Sequence, residues 1–497
     1  MTLRRKPYPV VNITGGINVG KDPLYIQDSS SPDLTLVRYH KGVIKKDFLL
    51  QAFVDLTSER VMDFSVYRQY DGDIFVICCG VDHAYKYSAS VWTKISSAGP
   101  VFTGGDDDIF YSTVFDDLFI VTNGKDAIQK WNGTTWAALG GSPPTYVKYL
   151  VPFYSRLVVA HTYESATVYP SRVRWSIIGD PETWTGTGSG AIDVLDTQDR
   201  ITGLGRLGDR VFVFKEDSIW ELYYVGGTDV FKTRVVTTEL GCRCGKTIVQ
   251  IGTSLCFMGS SGILQFDGSS FKSIGDAIYP ITYETVDSLV DHGRIGRAHA
   301  KYDYESGKYI LVLPTKLNIV PNLIISFDLN NSFWSKRIKD CTAIGYLYRG
   351  FGTNVAWSAA TEAWSHASWA VPWVADVLGL PVILYGQSTG VVLQDKKLTP
   401  TTEEMTWESK DFVFSQAHRF TEVRYLCKGG PFAVYYSYDQ GYSWTVAKTL
   451  TPSTSEFSYT SDELNVTGMS IRIRIVTSGA FELKWIEPFY IDRTRIV

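Results

Sequence analysis

The 497-residue sequence predicts an all-β protein: a β-propeller of about seven blades, with six to eight compatible, followed by a C-terminal β-sandwich. Three observations carry that expectation. Short strand-like runs replace helical periodicity almost everywhere, tight-turn dipeptides punctuate them, and an aromatic hairpin returns at a step near 45 residues.

The strand runs come in two kinds. Residues 470–476 read Ser-Ile-Arg-Ile-Arg-Ile-Val, placing Ile471, Ile473 and Ile475 on one face and Arg472 and Arg474 on the other, the period-2 pattern of a half-buried strand. Residues 211–214 (Val-Phe-Val-Phe) and 309–313 (Tyr-Ile-Leu-Val-Leu) are apolar on both faces, as strands covered on both sides are. Asp71-Gly72, Asn123-Gly124, Asn132-Gly133 and Asp267-Gly268 supply turns, because Gly accepts the positive φ that a two-residue hairpin loop requires.

The repeat is read from residues 86–92 (Lys-Tyr-Ser-Ala-Ser-Val-Trp), 130–136 (Lys-Trp-Asn-Gly-Thr-Thr-Trp) and 265–271 (Gln-Phe-Asp-Gly-Ser-Ser-Phe). Each holds an aromatic, a polar turn and a second aromatic five residues on. The two rings then face one another across adjacent strands, a pairing that stabilises by roughly 0.2–1 kcal/mol. Tyr87 to Trp131 is 44 residues and Trp131 to Phe266 is 135, three steps of 45, with Trp175 and Trp220 at the intermediate positions. Tyr39 lies 48 residues before Tyr87, and Phe327 and Tyr385 follow Phe266 at intervals of 61 and 58. Four-stranded blades produce such a period. Residues 35–45 are the expected strand that joins the last blade and closes the ring. Past residue 398 the pattern changes: 399–402 reads as a linker, and longer strands follow at 406–414, 420–427, 432–437, 469–476 and 481–491. The expected division is therefore a propeller over 1–398 and a sandwich over 399–497.

Composition excludes several classes. With 44% hydrophobic, 14% aromatic and 20% charged residues the chain is too apolar for disorder. No run of about 18 apolar residues exists to span a bilayer, since the nearest, 371–386, holds Pro372, Asp376 and Pro381. The basic start, Arg4-Arg5-Lys6, leads into no apolar stretch and is not a secretory signal. Seven scattered cysteines (78, 79, 242, 244, 256, 341 and 427) do not make a disulfide framework, and a soluble protein of a reducing compartment is expected. A net charge of −4 argues against a broad basic surface that grips nucleic acid, though not against a surface past which nucleic acid slides.

The motifs that could carry chemistry are few. Residues 437–444, Ser-Tyr-Asp-Gln-Gly-Tyr-Ser-Trp, resemble the aspartate box of sialidases and related propellers, a hairpin whose Asp439 caps amides while Trp444 packs beneath; a single copy is a structural device. Asp106-Asp107-Asp108 and Asp116-Asp117 offer paired carboxylates or a calcium site, against the plainer reading of solvated loops. Cys242, Cys244 and Cys256 lack zinc-site spacing. Residues 203–208 match GxGxxG by letter but stand between strands, without the helix that a dinucleotide site needs. No phosphate loop, HExxH or GxSxG is present, and the seven His are dispersed. No catalytic, cofactor-binding or metal-binding residue is assigned, no cofactor is expected, and the chain reads as a non-enzyme.

The N-terminal text Gly15-Gly16-Ile17-Asn18, Asp22-Pro23, Ser31-Pro32-Asp33-Leu34 and Gly42-Val43-Ile44-Lys45-Lys46 resembles the opening of the tail nozzle, or tail hub, proteins of short-tailed bacteriophages. Similar text recurs at 172–176, 179–184, 201–204, 213–220, 241–242, 261–268, 330–334 and 472–474, so the resemblance spans most of the chain. Residues 362–380 depart from it and read as an insertion that contacts another tail component. The resemblance implies a structural virion protein, made in the bacterial host cytoplasm and located in the tail. It implies a homo-oligomeric ring, commonly a hexamer, that prolongs the DNA exit channel below the portal and its adaptor (head-to-tail connector) proteins. Implied partners are those adaptors, tail fibre or spike proteins, and translocating DNA in transient non-specific contact; because a basic lumen would hold DNA and a net charge of −4 permits a neutral one, an acidic or mixed bore is expected. Two alternatives stand beside it: a sialidase-like carbohydrate-active enzyme, and a generic propeller scaffold for protein interaction.

Overall fold

A computed structural model describes residues 5–8, 12–56, 59–88, 90–97, 99–284, 286, 288–348 and 381–492. The expected insertion at 362–380 lies outside them. Strands dominate, joined by turns and a few short helical turns such as Gly245–Thr247 and His292–Arg297.

The turn signals and aromatic pairs do locally what their chemistry dictates. Asn132 Oδ1 accepts from the amides of Thr134 and Thr135 at 3.0 and 2.7 Å, and Asp267 Oδ1 from those of Ser269 and Ser270 at 2.8 and 2.7 Å. Each turn thereby puts its flanking aromatics in register: Tyr87 opposite Trp92, Trp131 opposite Trp136, Phe266 opposite Phe271. The Phe266 and Phe271 rings stack with centroids 4.4 Å apart.

Repetition of this unit builds a β-propeller. Six four-stranded sheets are self-contained: 61–94, 111–138, 146–193, 201–237, 249–273, and a closing sheet of Ala343–Leu347, Val382–Gly386, Val392–Pro400 and Phe48–Ala52. The self-contained blades thus number six, not the expected seven. The four strands at 299–338 form no sheet of their own, because their last strand, Phe333–Ile338, pairs in parallel with Leu34–Thr35 and through it joins a 14-stranded sheet. That meander nonetheless fills the remaining arc. The first strands of successive units touch in a closed cycle, with His299–Asp303 between Val249–Ile251 and Ala343–Leu347, and Ala343–Leu347 against Val61–Arg68.

Closure differs from the expectation in which residues perform it. Phe48–Ala52, not residues 35–45, supplies the outer strand of the closing sheet, with Leu50 opposite Asp395. Residues 35–45 fall instead mainly in the hairpin of Val37–His40 and Val43–Lys46, which the last strand, Phe481–Asp492, draws into the large sheet.

Hydrophobic clusters lie between neighbouring sheets, as face-to-face packing of blades requires. Val211 and Val213 pack toward the third sheet with Val158 and Trp175, whereas Phe212 and Phe214 pack toward the fifth with Leu255 and Phe257. Val61, Phe64 and Cys78 meet Ala343, Leu347 and Leu384, sealing the first sheet to the closing one.

The expected separate C-terminal sandwich is not shown. Met405–Glu408, Phe412–Gly429, Phe432–Ser437, Thr445–Leu450, Ser458–Thr477 and Phe481–Asp492 all belong to the 14-stranded sheet. Two strands of 18 and 20 residues, Phe412–Gly429 and Ser458–Thr477, pair with each other along much of their length, and the latter also pairs with Met405–Glu408 and Phe432–Ser437. Strand Val392–Pro400 runs into the stretch read as a linker. The reason is the core: Ile471, Ile473, Ile475 and Tyr425 belong to the same buried cluster as Leu34, Ile44, Leu311 and Trp334. Sheet and meander share one interior.

All seven cysteines are free and buried. Among the described residues no helix is long and apolar enough to cross a membrane.

Candidate functional site at the propeller axis

The inner strands and the turns that precede them surround a shaft that side chains fill. Asp63, on the first strand of the first sheet, is buried and receives Lys246 Nζ at 2.7 Å from the Gly245–Thr247 turn on the far side of the ring. Lys301 enters from the meander, its Nζ 5.6 Å from the Tyr346 ring centroid; burial, with repulsion from Lys246, lowers its pKa to about 8. His299 and His161 also face inward, and burial lowers both to about 4, so both are neutral at pH 7. The space left around Asp63, Lys246 and Lys301 is about 20 Å³, on the order of one water molecule.

The shaft widens at one end into a cavity of about 640 Å³ lined by Arg200, Arg243, Arg294, His292 and Tyr283, together with Asp107 and Glu216. Its acids are held: Arg297 Nε donates to Asp107 Oδ1 at 2.6 Å, and Arg200 Nε to Glu216 Oε1 at 2.9 Å. The Arg297 hydrogen bond keeps the Asp107 carboxyl below its ordinary range.

The aspartic triplet therefore acts as an electrostatic clasp, not a joint chelate. Asp106 pairs with Arg60 at 2.5 Å and with Arg297 at 3.6 Å, Asp107 with Arg297, and Asp108 accepts the Gly105 amide at 2.7 Å. Asp116 and Asp117 occupy a hairpin turn with φ of 48° and 57°, and Asp117 Oδ1 accepts the Tyr70 amide at 2.9 Å. The 106–108 loop is less purely solvated than its sequence suggests, because Arg60 and Arg297, distant in the chain, reach it.

The remaining candidates also serve structure. Asp439 Oδ1 accepts from Ser437 Oγ at 2.7 Å and the Ser443 amide at 2.9 Å, and the Ser443 hydrogen bonds lower its pKa to about 2. Trp444 lies under Arg474 at 3.9 Å, the capped hairpin that the motif implies. Cys242 and Cys244 donate to backbone carbonyls, and burial pushes the Cys244 thiol up to about 11 and the Cys256 thiol up to about 12. The GxGxxG text lies largely within strand Ile201–Leu207, where a Cβ at Gly203 would come 2.7 Å from the Gly245 Cα; its first glycine permits close blade packing.

Sequence reading missed the Glu59–Asp82–His83 group, whose ligand atoms lie within 4.8 Å of one another. Glu59 is already spoken for, accepting the amides of Asp82 and His83 at 2.5 and 2.9 Å and the Tyr85 hydroxyl at 2.5 Å. It also missed the arginine-lined mouth, since Arg200, Arg243 and Arg294 are far apart in sequence and share no motif.

No protein-family model matches the sequence, and no curated protein does. Solved structures give likenesses at low identity. The chain is similar to YCF48 from Cyanidioschyzon merolae (10% identity, covering 68% of this chain and 96% of that one, TM-score 0.36). It is similar to the Pan2 WD40 domain of Neurospora crassa (9%, 70% and 97%, TM-score 0.38) and to the computationally designed Ika8 protein (9%, 69% and 99%, TM-score 0.36). The sheets themselves define the propeller.

Proposed function

We propose that the chain is a structural virion protein, a nozzle or hub subunit of a short-tailed bacteriophage tail, and that it has no catalytic role. The observation that carries the reading is the single interior shared by the propeller meander and the 14-stranded sheet. A wall that withstands a passing genome needs rigid blocks without internal hinges, and interiors packed at crystal-like density transmit load in that way. The sequence resemblance supplies the rest. The chemistry-bearing groups discussed above are committed to caps, clasps and buried thiols, which supports shape over turnover.

The filled shaft adds a constraint. With Asp63 and Lys246 meeting inside it, DNA cannot thread a single chain, so any conduit must lie between copies arranged in a ring, commonly of six in the family resembled. Adaptor proteins on one side and fibres or spikes on the other are its proposed neighbours. Light scattering and negative-stain imaging of the purified protein test this together with a panel of chromogenic glycosides. Closed rings with a central hole and no turnover support the nozzle. Glycoside turnover abolished by one carboxylate substitution overturns it in favour of an enzyme.

A second reading, a propeller scaffold that binds other proteins, draws on the exposed aliphatic side chains beside the axial cavity.

A further inference from the structure

We propose that the mouth of the propeller axis docks an extended acidic segment of a partner protein, whose carboxylates enter the arginine-lined cavity while its aliphatic side chains cover a knob formed by Leu289, Leu317 and Ile319. Two independent features converge there, and the inference stands whether or not the chain forms a ring.

The first is a set of guanidinium donors. Arg200, Arg243 and Arg294 reach the cavity from three separate segments. A guanidinium carries five N–H donors in a fork that matches a carboxylate. Few of these are used: Arg200 gives Nε to Glu216, Arg243 Nη2 stands 3.7 Å from Asp217, and Arg294 Nη1 lies 3.4 Å from Asp291 and 3.3 Å from the Asn318 carbonyl. Glu216, Asp217 and Asp291 stand beside these three arginines and Arg297 holds Asp107, so charge at the mouth is matched, and what the guanidinium forks still offer is N–H donors beyond those single contacts.

The second is exposed aliphatic surface. Leu317 is 93% exposed, Ile319 63% and Leu289 40%. Single exposed aliphatics are ordinary, whereas several on adjoining loops mark a contact surface. These loops are tied together: the Lys316 amide donates to the Leu289 carbonyl at 3.0 Å, the Asp291 amide to the Pro314 carbonyl at 3.0 Å, and Arg297 Nη1 to the Ile319 carbonyl at 2.8 Å. Arg294, which lines the cavity, donates to the Asn318 carbonyl at 3.3 Å, so the loop that carries Leu317 and Ile319 adjoins it.

A polynucleotide would find arginines and the stacked Tyr279–Tyr283 pair but would leave the aliphatic side chains uncovered, as would a small anion. A polypeptide alternating acids and aliphatics meets both.

Fluorescence anisotropy on the full chain with a fluorescein-labelled peptide of alternating Asp and Leu tests this, beside Asp–Ser and Lys–Leu peptides and oligo-dT. Binding is expected for the Asp–Leu peptide alone. Arg243→Glu with Arg294→Glu should weaken it about tenfold or more and flatten its salt dependence, as should the milder Arg243→Gln with Arg294→Gln to a smaller degree. Leu317→Asp with Ile319→Asp should weaken it comparably, and all variants should melt as the parent does. Equal binding by the Asp–Ser peptide, the Lys–Leu peptide or oligo-dT overturns the proposal, as does absence of binding or indifference to these substitutions.

Discussion

Lys246 Nζ lies 2.7 Å from Asp63 Oδ1 in the shaft of the propeller, with 183 residues of chain separating the two. Asp63 belongs to the first sheet and Lys246 to the turn before the fifth, so one buried ion pair ties opposite arcs of the ring. Ser65 Oγ gives Asp63 a second hydrogen bond at 3.2 Å.

Removing one partner leaves an uncompensated buried charge, which costs about 3–5 kcal/mol. Lys246→Ala and Asp63→Asn should therefore each lower unfolding free energy on that order in urea titrations, and the double variant should lose less than their sum.

Closure predicts a distant consequence for the N-terminal strand. Leu50→Pro removes an amide from the ladder that Phe48–Ala52 forms with Val392–Pro400. Hydrogen exchange should rise across 382–395 and the melting temperature should fall by several degrees, while exchange in the third and fourth sheets changes little.

The aromatic hairpins should be asymmetric. Trp131 is buried, with the Tyr67 and Phe75 centroids each 5.4 Å away, whereas its cross-strand partner Trp136 is half-buried. Trp131→Ala should cost about 3–5 kcal/mol and Trp136→Ala about 1 kcal/mol or less, measured by the same titrations.

Acid should weaken the shaft. Burial depresses His161 and His299 to about 4, against about 6.5 for an unfolded histidine. Below pH 6.5 the unfolded chain binds protons that the native state refuses until about pH 4, so stability is complete above 6.5 and falls through that window. The loss is on the order of 2–3 kcal/mol per histidine. His161→Gln and His299→Gln should each shrink the drop in melting temperature between pH 7 and pH 4. Lys148 and Arg200 near His161, and Lys246 and Lys301 near His299, oppose protonation in the same direction.

Much of the ring was legible because its signals are local. Tyr87, Trp131, Trp175, Trp220, Phe266 and Phe327 all fall on the third strand of their four-stranded unit, so the 45-residue step marks a real structural position. The doubly apolar run at 211–214 also had a direct cause, since its two faces serve different neighbours. What failed was long-range. Tyr39 matches the step but lies in a hairpin of the large sheet, and Tyr385 sits on a second strand. Leu34–Thr35, only two residues long, fuses the meander to the C-terminal strands, and no pattern in two residues announces a partner some 300 positions away. The axial arginines were hidden for the same reason: turns from separate blades bring them together.

Cryo-electron microscopy of the assembly in which this chain is found tests the proposed nozzle role most directly. A ring of copies on the DNA exit axis is predicted, with genome density passing between the copies and each propeller shaft shut by Lys246 and Asp63. Density for DNA inside a single propeller, or a chain found singly and away from the exit axis, would contradict it.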